Sequence, residues 1–397
     1  MYKVISEFFE NQKYTMSLYA RQIAGTLILF IIAHYLSVYE YGLFSSYKNI
    51  ATFCLLFANL GYADYILVST GARVVEVKAK TAMFMGHAIL LTVLFMAISF
   101  LFGLDDRVLF LLIMVRTFFD VTFFSLILPC FQAEKNFDAI SKINFIYSFF
   151  VTVIAVVSYL MKLPLVTFLW LNILLGVVNF LQCSRYAKIK YFGITQKVSQ
   201  MLDRGIFAYV GVTLAYLLYA QIPSLYVSVM LTKEEAALYF AAFTISGVIA
   251  LLVTAQTQKR LPEMIGADNE SAKAVIKSNL KFLVGATVLI FLFTVVAGKA
   301  LLRLLYGQDY YTNAYVVLLI LMLGNICVAE AAVYGAYITA SDNQRKKIPM
   351  QLEATFVTVL MLLLLREYSI VGAASSFLIS SVYIAFRYTK FTKKFLK

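Results

Sequence analysis

Charge is scarce in this chain: 14% of 397 residues are charged, against about 25% in soluble globular domains. Acidic residues are the scarcer sign, 21 against 34 Lys and Arg, leaving a formal net charge of +13. Cysteine and histidine are also sparse, with 4 and 2 residues. Cys54, Cys130, Cys183 and Cys327 lie in apolar runs without CxxC or Cys/His spacing, and His34 and His87 have no ligand partner at a recognisable distance in sequence. A disulfide framework and a zinc site are therefore unsupported. The first sixteen residues carry Glu7 and Glu10 and lack the apolar run and small-residue cleavage site of a signal peptide, so this segment is expected to be retained. Val4, Ile5, Phe8 and Phe9 share a helical face, which suits a surface helix as well as a frayed tail.

What the chain has in excess is apolar length. It is 62% hydrophobic, with a mean hydropathy of +0.83. Residues 81–102, TAMFMGHAILLTVLFMAISFLF, are apolar on every face, and such stretches recur along the sequence. A helix in lipid needs roughly 20 such residues to cross about 30 Å of hydrocarbon, whereas a soluble core helix needs only a stripe. Twelve spans are expected, at 17–37, 41–62, 81–102, 108–131, 139–161, 164–184, 206–231, 236–257, 279–301, 313–338, 349–366 and 368–390. The positive charge then falls into alternate loops. Arg73, Lys78 and Lys80, then Arg185, Lys188, Lys190, Lys197 and Arg204, lie on the side of both termini, while the opposite loops hold single cations such as Arg107, Lys162 and Lys233. The positive-inside rule makes the termini cytoplasmic and explains the net charge without nucleic acid. The outer loops are too short for an extracytoplasmic active site. Segments 63–80, 185–205 and 258–281 read as linkers or surface helices.

Two short repeats relate the halves. Leu36–Phe44 parallels Leu231–Tyr239, and Leu101–Asp105 parallels Leu305–Asp309, at similar offsets. The expected fold is an all-α polytopic membrane protein of twelve transmembrane helices, in two six-helix lobes related by pseudo-two-fold symmetry along the membrane normal. The lobes are residues 1–190 and 206–397, joined by a cytoplasmic linker at 191–205.

Five charges stand inside spans, where each costs about 2.5 kcal/mol or more and is expected to face protein or water. Arg21 is near enough to its span end to snorkel. Lys48 and Arg116 lie deeper, which favours a water-filled cavity. Arg116 and Asp120 are four residues apart, so an ion pair competes with ligand binding. Glu330 is a candidate proton carrier, unless a cation such as Arg116 keeps it ionised. Glu353 is expected at the interface. Gln22, Asn144, Asn172, Asn179, Gln221, Gln256 and Asn325 suit the lining of a hydrogen-bonding cavity or simple interhelical bonding.

Several segments carry a family resemblance. Ala33-His34-Tyr35-Leu36 running into Glu40-Tyr41-Gly42-Leu43-Phe44, Asn59-Leu60-Gly61-Tyr62, Leu304-Leu305-Tyr306-Gly307-Gln308-Asp309-Tyr310 and Tyr368-Ser369-Ile370-Val371-Gly372-Ala373-Ala374-Ser375 resemble signatures of the O-antigen and polysaccharide flippases (Wzx-type) of the multidrug/oligosaccharidyl-lipid/polysaccharide exporter superfamily. The likeness covers essentially the whole chain. It departs at His34, where family members commonly carry arginine, and at Gln221, near which they often carry an acidic residue, so a family coupling-ion scheme does not transfer.

The resemblance implies a flippase, not an enzyme and with no cofactor, in the bacterial inner membrane. It would move a polyprenyl-pyrophosphate-linked oligosaccharide, an O-antigen or capsular repeat unit, to the outer leaflet by alternating access. Membrane lipids, a polysaccharide polymerase and chain-length machinery are the implied partners. Arg21, Lys48 and Arg116 are the expected substrate-binding cations, with Asp120 and Glu330 serving ion coupling or ion pairing. A drug or cation antiporter of the same superfamily should instead present carboxylates. A membrane-embedded polysaccharide-synthesis enzyme would need a catalytic aqueous loop, for which Glu263, Asp268 and Glu270 are the nearest candidates. A scaffold for a synthesis complex is the third class.

Overall fold

Apolar length dictates the architecture. The computed structural model describes residues 2–59, 61–69, 73–99, 106–134, 136–189, 206–264, 267–308, 310, 312–341 and 343–396, and among these every regular element is helical. In chain order they are α1 (Tyr2–Ala33), α2 (Val38–Asn59), the short α3 (Tyr62–Ser69), α4 (Val74–Ser99), α5 (Arg107–Thr117), a π-helical turn (Phe118–Phe123), α6 (Phe124–Ala133), α7 (Phe137–Leu160), α8 (Leu165–Ala187), α9 (Ile206–Met230), α10 (Lys233–Met264), α11 (Asn269–Tyr306), α12 (Asn313–Ala340), α13 (Lys347–Leu364) and α14 (Ser369–Phe395).

With α5, the π turn and α6 taken as one rod, these give twelve long helices, and each expected span falls on one of them in order. The anticipated all-α, twelve-helix fold is the observed one. Among the described residues, nine are long and apolar enough to cross a membrane by length and composition. Of the other three, α1 contributes the apolar stretch Tyr19–Ala33, while α2 and α10 are diluted by polar residues.

The water-side segments differ from expectation. α1 is one helix from Tyr2, so its first sixteen residues continue the span rather than forming a separate element. Residues 63–80 and 258–281, read as linkers or surface helices, are largely helical: the short α3 runs to Ser69, α4 begins at Val74, α10 runs to Met264 and α11 begins at Asn269. With 38 residues, α11 is about 57 Å long, far beyond the hydrocarbon thickness. Leu101–Asp105 and the linker 191–205 lie outside the described residues.

The chain divides into two compact units. The first holds Met1–Tyr35 and Tyr47–Val210, the second Leu36–Ser46 and Gly211–Lys397. The first turns of α2 thus group with the second unit, although sequence order places them in the N-terminal lobe.

In the first unit α1 lies along α7, which packs on α8. One core gathers Tyr65, Phe84, Met85, Leu126, Ile127, Phe131, Ile140 and Ile143, with Tyr62 stacked on Phe84 at 4.2 Å between ring centroids. In the second unit α12 is central, packed on α10, α11 and α14. Its contact with α14 uses glycine: a Cβ on Gly324 would run into Phe377, and one on Gly335 would press on Tyr388. In lipid, such residues let helices approach closely enough for dispersion to hold them.

Three of the segments that carry the family resemblance, at Glu40–Phe44, Leu304–Tyr310 and Tyr368–Ser375, lie in the second unit and meet there, whereas Asn59–Tyr62 belongs to the first. Ser37 and Glu40 form a reciprocal capping box on α2, with the Ser37 amide 2.9 Å from the Glu40 carboxylate and the Glu40 amide 3.3 Å from the Ser37 hydroxyl. Thr232 and Glu235 repeat it on α10 at 3.1 and 3.3 Å. A Cβ on Gly42 would run into the Lys233 carbonyl, so the two capped ends touch through a bare backbone. Tyr41 is buried edge-on against Tyr306 and Tyr310, at 5.7 and 6.0 Å. The Ser369 hydroxyl donates to the free oxygen of Glu235. These motifs therefore build a structural joint.

Candidate functional site

A buried charge in lipid must find a partner, and in the first unit the partners form a chain. α1 packed along α7 brings Arg21 over Tyr147, its guanidinium carbon 4.4 Å from the ring centroid. Arg21 also donates to the Asn144 carbonyl oxygen at 3.3 Å, and the Asn144 amide nitrogen donates to the Ser17 hydroxyl at 3.3 Å. The Tyr147 hydroxyl donates to one Asp120 oxygen. The other oxygen is 3.2 Å from Arg116 Nη2. Arg116 is 6% exposed, so this pair exists in a medium that penalises either charge alone.

The local backbone explains how Asp120 reaches Tyr147. Residues 118–123 form a π-helical turn, which widens the helix and redirects the side chains after Arg116. Gly176 on α8 makes room for it: a Cβ there would lie 2.8 Å from that of Phe119. A substitution would push the turn away.

Lys48 on α2 is the exception to this pairing. It lies within electrostatic reach of Arg116 and Asp120, yet among the described residues its ammonium forms no hydrogen bond or ion pair. The cluster thus holds three cations, Arg21, Lys48 and Arg116, against one carboxylate, Asp120. Its net charge is positive, and Lys48 has its donors open for an anion.

Sequence reasoning placed Arg21, Lys48, Arg116 and Asp120 in one lobe, and the first unit brings all four together. Arg21, for which snorkelling was one reading, contacts Tyr147 and Asn144. Tyr147 and Ser17 were missed. The available signal was the buried face Asn144, Tyr147, Ser148 and Val151 on α7, spaced for a helix but mixing polar with apolar residues.

Glu330 belongs to the second unit and accepts from the Thr389 hydroxyl at 3.1 Å. Arg116, suggested as its partner, is committed to Asp120. Glu353, expected at the interface, pairs with Arg387 and accepts from the Tyr383 hydroxyl at 2.7 Å. Gln221 receives the Ser224 hydroxyl at 3.2 Å, and Asn325 bridges α12 to the Ser246 carbonyl on α10 at 3.2 Å. His34 is exposed and bonds the Phe30 carbonyl in its own helix. The four cysteines are free thiols.

Neither a protein-family profile nor a curated protein sequence matches this chain. Solved structures do. An inward-facing multidrug resistance MATE family transporter of the MOP superfamily is 13% identical, with a TM-score of 0.67 over 96% of this chain and 98% of the other. A MOP superfamily transporter from Pyrococcus furiosus, described as having a binding pocket of reverse polarity that suggests a different function, is 15% identical, with a TM-score of 0.66 over 97% and 94%. The Vibrio cholerae MATE transporter VcmN in its bent form is 14% identical, with a TM-score of 0.64 over 97% and 96%. At these identities the likeness is one of fold, and it extends over the whole chain.

Proposed function

We propose that this protein is a membrane transporter of alternating access that flips a lipid-linked oligosaccharide carrying an anionic pyrophosphate linker. The observation that carries the reading is the excess of cations in the buried cluster of the first unit, with Lys48 unpaired among the described residues beside the Arg116–Asp120 pair. A cationic drug would be repelled there, and an anion attracted. The neighbour of reverse pocket polarity is precedent for such a change of sign on this fold.

The energetics call for a protein. Each sugar hydroxyl costs about 2–7 kcal/mol to move unpaired into an apolar medium, so the head group of an oligosaccharide does not cross lipid unaided. Polar side chains supply substitute partners while the polyprenyl tail remains in lipid, and no covalent step is required. The roles of Asp120 as partner of Arg116, and of Glu330 as a proton-binding group, complete the proposal. The inner membrane of a bacterium, with cytoplasmic termini, is the setting the charge asymmetry of the loops supports.

The test is flipping of a polyprenyl-pyrophosphate oligosaccharide in reconstituted vesicles, with Lys48→Gln and Arg21→Gln variants at matched protein levels. Loss of a charge-assisted contact of about 1.5–3 kcal/mol predicts a fall of roughly ten- to hundredfold in apparent affinity. Undiminished flipping in the double variant overturns the cationic site. A second reading, a drug or cation antiporter, is favoured by the multidrug transporters among the structural neighbours. It predicts export of a cationic dye that depends on Glu330 and is insensitive to Lys48→Gln.

A further inference from the structure

Beside the polar cluster in the first unit, α7 and α8 leave a groove between them. It measures about 230 Å³ and is lined by Ile146, Tyr147, Phe150, Leu175, Val178, Asn179 and Gln182. Ile146, Phe150 and Val178 are exposed, so the groove opens where hydrocarbon would surround the protein. Small-molecule sites run to about 300–1,000 Å³, so an oligosaccharide does not fit, whereas a segment of one hydrocarbon chain does.

Two further features restrict the occupant. Asn179 is 3% exposed, and its Nδ2 donor has no partner among the described residues. An unsatisfied donor at membrane depth is costly, so an acceptor is called for. Below the groove each wall carries a cation. Arg185 follows Gln182 by three residues on α8, and Lys142 precedes Ile146 by four on α7. These spacings put each cation on the same helical face as the lining residue, one turn nearer the helix end. Both are exposed, and neither forms an ion pair among the described residues.

We infer that this groove is a binding site for an anionic glycerophospholipid of the adjacent leaflet. Its phosphate rests between Lys142 and Arg185, its ester carbonyl accepts from Asn179, and one acyl chain fills the groove against Phe150, Leu175 and Val178. A polyprenyl phosphate would satisfy the cations but offers no carbonyl at the depth of Asn179. Tyr147 forms part of the wall and also donates to Asp120, so an occupied groove holds that ring in the position the polar cluster requires. The site stands independently of the transported substrate.

The experiment uses the full-length protein in nanodiscs of phosphatidylcholine, with phosphatidylglycerol titrated in and retained lipid read by native mass spectrometry. One phosphatidylglycerol is expected to persist on the wild type. Each basic residue near an anionic head group is worth about a fivefold change in binding, so Lys142→Gln with Arg185→Gln is expected to weaken retention about thirtyfold. Those exposed changes leave the packed faces intact. A diether phosphatidylglycerol, which has no carbonyl, is expected to bind the unmodified protein several-fold more weakly, which tests Asn179 without altering a buried residue. Equal retention of phosphatidylcholine and phosphatidylglycerol, or an unchanged double variant, overturns the site. Equal binding of the diether lipid, or displacement by polyprenyl phosphate at matching concentration, overturns the assignment to a glycerophospholipid.

Discussion

Asp120 holds two donors at once, and that double role makes it the residue on which the polar cluster balances. Asp120→Leu leaves Arg116 buried with no counter-charge, a change that costs about 3–5 kcal/mol when a buried pair is broken. The double variant Arg116→Leu with Asp120→Leu removes both charges and is expected to recover most of that loss, because well-packed apolar residues often replace a buried pair without penalty. Tyr147→Phe takes away one hydrogen bond to a charged oxygen and should cost about 1.5–3 kcal/mol. Thermal unfolding of the purified variants in detergent measures all three, and a double variant no more stable than Asp120→Leu would show that the pair is not the cause. The four charged members of the cluster, Arg21, Lys48, Arg116 and Asp120, could be named from sequence, since a charge in an apolar run is conspicuous. Tyr147 could not, because one tyrosine among 27 carries no mark of the oxygen it will find.

At the scale of elements, the paired capping boxes of α2 and α10 are the feature to perturb. Gly42 allows the two capped ends to touch, so Gly42→Val should destabilise the second unit by about 3 kcal/mol or more, through overpacking against backbone that cannot move aside. Glu235 adds a pH dependence at the aqueous end of α10. Burial pushes its carboxyl up, but the hydrogen bonds from Ser369 and from the Thr232 amide and hydroxyl outweigh burial and leave it below its ordinary value of 4.5. A carboxylate with a lowered folded-state pKa stabilises the protein above its unfolded value and loses that effect as pH falls through the folded value. Wild type should therefore lose more thermal stability than Glu235→Gln between about pH 5 and 3. Parallel curves would mean the cap contributes nothing. The repeat Leu36–Phe44 and Leu231–Tyr239 was visible in sequence, yet its meaning as a contact within one unit was not, because nothing local says that the first turns of α2 pack with helices some 200 residues away.

For the whole molecule, charge sets the direction of work. If the transported head group carries about two negative charges, leaving a compartment held at −100 mV releases on the order of 5 kcal/mol. Imposing that potential across proteoliposomes should accelerate outward flipping of the anionic substrate, and a rate indifferent to voltage would mean the charge does not cross with it. Hydropathy alone determined the twelve helices and their order, because a segment in lipid must satisfy its own backbone whatever its neighbours are. Loop charge suggested an orientation for the same reason: it acts on each span separately. Partnership between spans was another matter. That Arg21 stacks on Tyr147, that a π turn delivers Asp120 to it, that Lys48 stays unpaired among the described residues and that Asn179 lines a groove were decided by tertiary packing, since each depends on the approach of helices whose apolar faces look interchangeable in the sequence.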